Sequence, residues 1–251
     1  MEPILQVEHV DKAFGGVVAA HDVNFSIMPG QIMGLIGPNG AGKTTTLNLI
    51  SGIYQCDKGS IHIAGKDVTN LPAHTRARLG LARTFQTPRF LQRSSIQENL
   101  MLGLDLADHM GFLNSFLGKK GSNFQQELDT LMKMAGFEVD WNADISSLTY
   151  GQRKMLEIVR ALLTHPRIIL VDEPAAGLNS KELERVLDML QYASKKGIGI
   201  VVIEHQMDFV MNISDFITVL NFGRVLAQGA LNVVSTDPEV IEAYLGRDSN
   251  A

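Results

Sequence analysis

Eight consecutive residues, Gly37-Pro38-Asn39-Gly40-Ala41-Gly42-Lys43-Thr44, fit the phosphate-loop pattern G-x-x-x-x-G-K-[ST] in full. The flanks restrict the fold further. The apolar run Ile32-Met33-Gly34-Leu35-Ile36 reads as a buried strand, and Thr45-Thr46-Leu47-Asn48-Leu49-Ile50 as the helix that follows. A strand that feeds a glycine loop, which in turn opens a helix, predicts an α/β core.

The residue types state the chemistry. Glycines at 37, 40 and 42 let the backbone turn so that successive N–H groups face phosphate oxygens. The helix start adds unpaired N–H groups and the positive end of the peptide dipoles. Gly37, Pro38, Asn39, Gly40, Ala41, Gly42, Lys43, Thr44 and Thr45 are therefore the candidate nucleotide-binding residues. Lys43 would place its charge on the β- and γ-phosphates, and the Thr44 hydroxyl would bind Mg²⁺. The alternative, a glycine-rich loop that merely turns, requires the complete match to be chance.

Composition excludes several classes. A net charge of −5 carries no broad basic face for nucleic acid. The lone Cys56 allows no intrachain disulfide, and no Cys or His spacing resembles a zinc site. The start, Met1-Glu2-Pro3-Ile4-Leu5-Gln6, has no basic segment followed by an apolar one, and no run of about eighteen apolar residues occurs anywhere. The expectation is a cytosolic chain whose membrane role, if any, needs a partner.

The first third reads as β-rich, with strands over Ile4 to Val10, Val17 to Ala20, Val23 to Ile27 and Ile61 to Ala64. Phe14 sits on a turn where its face would stack on a base, although an aromatic taken alone is more often core. From Pro72 the pattern turns helical, and Leu81 to Phe85 forms a strand ending at Gln86. Residues from about 95 to 147 show helical periodicity over Ile96 to Leu104 and Phe124 to Ala135, a helical block inserted into the α/β core. The segment 109–123 reads either as an amphipathic surface helix or as a connection within that block. Leu148-Thr149-Tyr150-Gly151-Gln152 then opens another helix. Arg167 to Val171 is a buried strand ending in Asp172-Glu173, where parallel sheets collect ligands. Gly199 to Ile203 is a strand ending at Glu204-His205, and Phe216 to Leu220 and Arg224 to Ala227 precede a short helix near Pro238 to Leu245. An Asp-Glu pair after a buried strand suits a metal ligand beside a free proton acceptor, and otherwise only caps a turn. His9, His21, His62, His74, His109 and His165 read as structural.

Taken in order, the phosphate loop, Gln86, Leu148 to Gln152, the strand ending in Asp172-Glu173, Gly177-Leu178-Asn179 and His205 resemble the six sequence marks of an ABC transporter ATP-binding subunit, over essentially the whole chain. The resemblance implies a P-loop NTPase (RecA-like) core with an N-terminal antiparallel β subdomain, formed by residues 1–86 and 165–251. It also implies an inserted α-helical subdomain over 87–164. Asp172, with Thr44 and Gln86, would hold Mg²⁺, Glu173 would polarise the attacking water, and Gln86 and His205 would sense the γ-phosphate. Phe14 would stack on the adenine. Thr149, Gly151 and Gln152 would cover the ATP of an opposite subunit, so the working unit needs a second ATP-binding chain, identical or paralogous. The chain departs from the usual signature, with Thr149 for Ser and Tyr150 for Gly, and it carries Asn179 for the customary Asp.

The tyrosine, Ala175 to Asn179 and the ending Pro238 to Gly246 resemble the larger of two ATP-binding subunits in branched-chain amino acid importers. That resemblance implies a peripheral protein on the cytoplasmic face of the membrane, held by two permease subunits and served indirectly by a solute-binding protein, with no nucleic acid partner. Urea, short amides or other amino acids stay open as cargo. A soluble family member outside transport, or a nucleotide-gated module without useful hydrolysis, would be the rival reading.

Overall fold

The computed structural model describes residues 2–105 and 119–245. Two sheets organise them. The first contains β1 (Leu5–Phe14), β2 (Val17–Ile27), β4 (Lys58–Ile63) and β5 (Lys66–Asp67), paired antiparallel in the order β2-β1-β4-β5. The second has the order β10-β9-β3-β8-β7-β6, built from β3 (Ile32–Ile36), β6 (Leu81–Arg83), β7 (Ile168–Asp172), β8 (Gly199–Ile203), β9 (Phe216–Asn221) and β10 (Arg224–Gly229). Its four pairings from β9 to β6 are parallel, and β10 closes one edge antiparallel.

Every residue of β3, β7 and β8 is buried, because the second sheet is covered on both faces. Alternate side chains enter different cores. Ile169, Val171, Ile200 and Val202 pack against the helices, whereas Ile168, Leu170, Val201 and Ile203 pack against the first sheet and α1 (Lys43–Ile50). The period of two in each strand thus fixes which face meets which layer. Each such Ile, Val or Leu contributes on the order of 1.5–3 kcal/mol by leaving water.

The helical layer comprises α3 (Ile96–Asp105), α4 (Lys119–Ala135) and α5 (Tyr150–Leu163), all between β6 and β7 in the chain. α2 (Ala73–Arg78) leads into β6, and α6 (Ser180–Lys195) and α7 (Met207–Ile213) follow β7 and β8. Two short C-terminal helices, α8 (Leu231–Val234) and α9 (Pro238–Leu245), close a third cluster with Ile36, Val210, Ile217 and Val219. The mixed α/β architecture, with its antiparallel β layer and helical insertion, is the expected fold class.

Two expectations are corrected. Val17 to Ala20 and Val23 to Ile27 form one strand, because Asp22 makes a bulge with φ 50° and not a turn. Its backbone N–H donates to Asp11 Oδ1 at 2.7 Å. The strand expected to reach Phe85 stops at Arg83, and after Thr84 donates to Leu170 the Phe85 N–H turns to a helix carboxylate, Glu157 Oε2. The reading of 109–123 falls largely on residues 106–118, which lie outside the described residues, as does His109.

Candidate active site

The strand order places four segments side by side at the carboxyl edge of the sheet. The phosphate loop leaves β3, Glu204-His205 leaves β8, Asp172-Glu173 ends β7, and Thr84 to Gln86 leaves β6. Segments far apart in sequence meet because parallel strands all end at one edge.

In the loop, Gly37 and Gly42 have φ 146° and 101°. A β-carbon there would lie 2.1 Å from the Leu220 carbonyl oxygen and 2.4 Å from that of Ala19, so neither position tolerates a side chain. Gly40 differs: its φ is 80° but the space around it is open, so backbone conformation alone favours glycine. Lys43 is buried, and its ammonium donates to the Gly37 and Pro38 carbonyls at 2.7 and 3.0 Å, within the loop it belongs to. Gly42 caps α1 without a side chain, which leaves the start of the helix to an anion. Thr44 on the first turn is exposed and Thr45 half-buried.

At β7 the two carboxylates separate by role. Asp172 is buried, and its Oδ2 accepts from Arg83 Nη2 at 3.3 Å. Burial raises its pKa, against the lowering effect of Arg83. Arg83 is itself fixed by donating to Asn48 Oδ1 and Ser51 Oγ at the end of α1. Glu173 takes a left-handed φ of 46°. Its Oε2 accepts from Gln86 Nε2 at 2.7 Å, and its Oε1 lies 3.0 Å from His205 Nε2. A carboxylate opposite Nε2 assigns the proton to that nitrogen. Gln86, Glu173 and His205 thus converge on one carboxylate. Each of its oxygens keeps a second lone pair with which to accept from a water. Glu204, beside His205, serves the backbone: it is buried and accepts from the N–H groups of Ala175, His205 and Gln206.

Phe14 lies at the end of β1 with 43% of its surface exposed, so it is not core. Tyr54 meets it edge-on at 5.1 Å, and Lys12 Nζ sits 5.4 Å over its ring. Thr149 and Gln152 form a capping box at the start of α5, with the Gln152 N–H donating to Thr149 Oγ1 and the Thr149 N–H to Gln152 Oε1. A β-carbon on Gly151 would lie 2.2 Å from Glu182 Oε1, and Glu182 is the residue that boxes with Asn179 at the start of α6. Asn179 therefore caps its helix as an aspartate would.

The family model described as ABC transporter matches residues 20–176, more than half of the chain. The chain is 39% identical to the high-affinity branched-chain amino acid transport ATP-binding protein BraF of Pseudomonas aeruginosa, over 97% of this chain and 98% of that protein. It belongs to the ABC transporter ATP-binding family. The cassette is likewise 37% identical to the high-affinity branched-chain amino acid transport ATP-binding protein LivG of Escherichia coli, over 98% of each chain. A second model, described as branched-chain amino acid ATP-binding cassette transporter, matches residues 224–249. Among solved structures, the ADP conformation of an ATP-binding cassette of an ABC transporter superposes with a TM-score of 0.82. It is 33% identical over 98% of this chain and 100% of that one. A dimeric post-hydrolysis cassette bound to ADP and Pi gives 0.78 at 25% identity, over 90% of this chain and 98% of that one. The cassette binds and hydrolyses ATP as a transporter subunit. Among the described residues no helix is long and apolar enough to cross a membrane.

Sequence reasoning missed Arg83, Lys154 and Tyr54. Lys154 is only 2% exposed and Glu157 1% exposed, although no motif marks either of them in the sequence. α5 is packed on most sides, and these two side chains are buried among backbone groups. Crowded polar positions on a helix between two apolar runs were the available signal.

Proposed function

We propose that this cassette hydrolyses ATP to drive a branched-chain amino acid importer, bound peripherally to two membrane permease subunits on their cytoplasmic side. The observation that carries the reading is the convergence of Gln86 and His205 on the Glu173 carboxylate beside a complete phosphate loop. Gly37 to Thr45 wrap the phosphates, and Lys43 neutralises them. Glu173 takes the proton of the attacking water as its oxygen bonds to the γ-phosphorus and the bond to the β-phosphate oxygen breaks. Gln86 and His205 orient that carboxylate and register the γ-phosphate, and Phe14, backed by Tyr54, stacks on the base.

Among the described residues no group of three His, Cys, Asp or Glu side chains forms a metal cage. That suits an ion carried mainly by phosphates. The Thr44 hydroxyl, Gln86 amide oxygen and Asp172 carboxylate are the hard donors that would hold Mg²⁺, which when bound neutralises charge on the β- and γ-oxygens.

Thr149, Gly151 and Gln152 stand at the N-terminus of the 14-residue α5. They present that anion-binding end to the ATP of a second cassette, identical or paralogous. The dimeric neighbour with ADP and Pi supports this arrangement. A cleft of about 700 Å³ between α2, β6 and α5 is lined by Lys66, Arg78, Arg83, Arg160 and Arg167, with Phe85 on its wall next to Gln86. This is the surface offered to a permease segment, so motion there reaches the γ-phosphate sensor within one residue. The names of the relatives and the model over 224–249 support branched-chain amino acids as cargo.

Glu173→Gln should lower magnesium-dependent phosphate release roughly 10²- to 10⁴-fold while ATP still binds, and Lys43→Ala should abolish it. Wild-type turnover in Glu173→Gln, measured with the permease present, removes Glu173 from the mechanism.

A further inference from the structure

In the reading above, the start of α5 acts on a neighbouring subunit. The same helix also turns inward. Tyr150, Lys154 and Glu157 follow one another at spacings of four and three, on one face. Lys154 is buried, and its ammonium has three protons to place. It donates to the Glu173 carbonyl and lies 3.4 Å from the Gln86 carbonyl oxygen and 3.5 Å from that of Ala176. Each carbonyl belongs to a different segment: the connection after β6, the end of β7, and the loop that leads to α6. Tyr150 Oη donates to the same Gln86 oxygen at 3.0 Å, and its ring lies against Gly177, where a β-carbon would sit 3.0 Å from Cε1.

We propose that Lys154, assisted by the Tyr150 hydroxyl, is a positioning residue that sets Gln86 and Glu173 in register within its own subunit. The inference rests on the hydrolytic role given to Glu173. Glu173 occupies a left-handed backbone conformation that a residue with a β-carbon keeps only when its surroundings enforce it. Its N–H donates to Ile203 O at 2.9 Å, and its carbonyl is held by Lys154. Both adjoining peptide planes are thereby fixed, and the side chain is aimed at Gln86 and His205. Without the amine, three carbonyls lose a donor together. Glu173 is then free to relax toward negative φ, and its carboxylate leaves the two side chains that orient it. Burial lowers the Lys154 pKa, while Glu204, Glu157, Glu173 and Asp172 all favour its charged form. The tyrosine that replaces glycine in the signature loop acquires a purpose here, as a second donor to Gln86 O.

The test uses the full chain, phosphate release from γ-labelled ATP at saturating MgATP, and trinitrophenyl-ATP as the binding probe. Lys154→Met, Lys154→Arg and Tyr150→Phe are measured alone and combined with Glu173→Gln. Lys154→Met should lower kcat about 10- to 100-fold with nucleotide affinity within about twofold, since a misplaced base costs rate and not binding. Lys154→Arg should restore most of it, and Tyr150→Phe should lose about three- to tenfold. In the Glu173→Gln background Lys154→Met should cost nothing further, because residues that act through one another are not additive. A wild-type rate in Lys154→Met overturns the proposal, as does an undiminished loss in the Glu173→Gln background. Should Lys154→Met fail to fold, Tyr150→Phe decides: it removes one hydroxyl at a partly exposed site, and an unchanged kcat overturns the proposal. Full turnover in Glu173→Gln alone would instead overturn the hydrolytic reading.

Discussion

Glu157 gives a stability effect whose size follows from its surroundings. The carboxyl is buried in α5, where Oε2 accepts from the Phe85 N–H at 3.4 Å and Oε1 from the Arg89 N–H at 3.2 Å. Arg160 Nη2 stands 3.8 Å away. Burial outweighs these donors and pushes the pKa from 4.5 up to about 7. Between those values the folded protein holds a proton that the unfolded chain has released. Stability from this group is therefore complete below pH 4.5 and lost as pH rises through 7. At 1.36 kcal/mol per unit, the loss amounts to about 3 kcal/mol by pH 8. Glu157→Gln keeps an acceptor and carries no charge. In urea unfolding from pH 5 to pH 8, the variant should match the wild type at the acid end and exceed it by about 2–3 kcal/mol at the alkaline end. Asp11, Asp22, Asp57 and Asp67, whose pKa values are lowered mainly by hydrogen bonds, change stability only as pH falls through the ordinary carboxylate range and add no slope between pH 5 and pH 8. Parallel profiles for the two proteins would refute this account of Glu157.

Arg76 is fully buried and donates to the carbonyls of Leu49, Ile50, Thr69 and Leu71. Arg76→Met should cost about 3–5 kcal/mol, because the carbonyls at the end of α1 lose their donor, and urea unfolding will measure it. Asn179→Asp should move stability by less than about 0.5 kcal/mol, since either side chain caps α6; a larger shift in the melting temperature than about 3 °C contradicts the capping role. Phe14→Ala should weaken ATP about tenfold and leave inorganic triphosphate binding unchanged, because a stacked base contributes on the order of 1–3 kcal/mol. Calorimetric titration with both ligands separates base from phosphate contacts.

The parallel core was legible because its strands are continuous apolar runs with a chemical group at each end: Ile32 to Ile36 before the glycines, Ile168 to Val171 before Asp172, Gly199 to Ile203 before Glu204. The phosphate loop was equally plain, since its residue types are dictated by backbone geometry. The convergence of Gln86 on Glu173 was not, because no local pattern marks an isolated glutamine; only the neighbouring positions of β6 and β7 bring it there. Arg76, Lys154 and Glu157 were opaque for a related reason. A charged residue on a helix predicts a wet face, and only the packed structure reveals carbonyls and amides waiting on the far side. The bulge at Asp22 passed for a turn because both call for the same left-handed residue.

Synthesis of this polypeptide imposes an order of assembly. β3, which launches the phosphate loop, has only β8 and β9 beside it: Met33 pairs with Val201 on one side and Phe216 on the other. A nascent chain on the ribosome therefore carries its glycine loop for most of translation with no neighbour to hold the strand beneath it. The ladder closes only after residue 219 of the 251 has emerged, so ligand capture is deferred until most of the protein has been made. Fragments that stop short of that point should expose the apolar edges of Ile32 to Ile36 and draw chaperones in place of nucleotide.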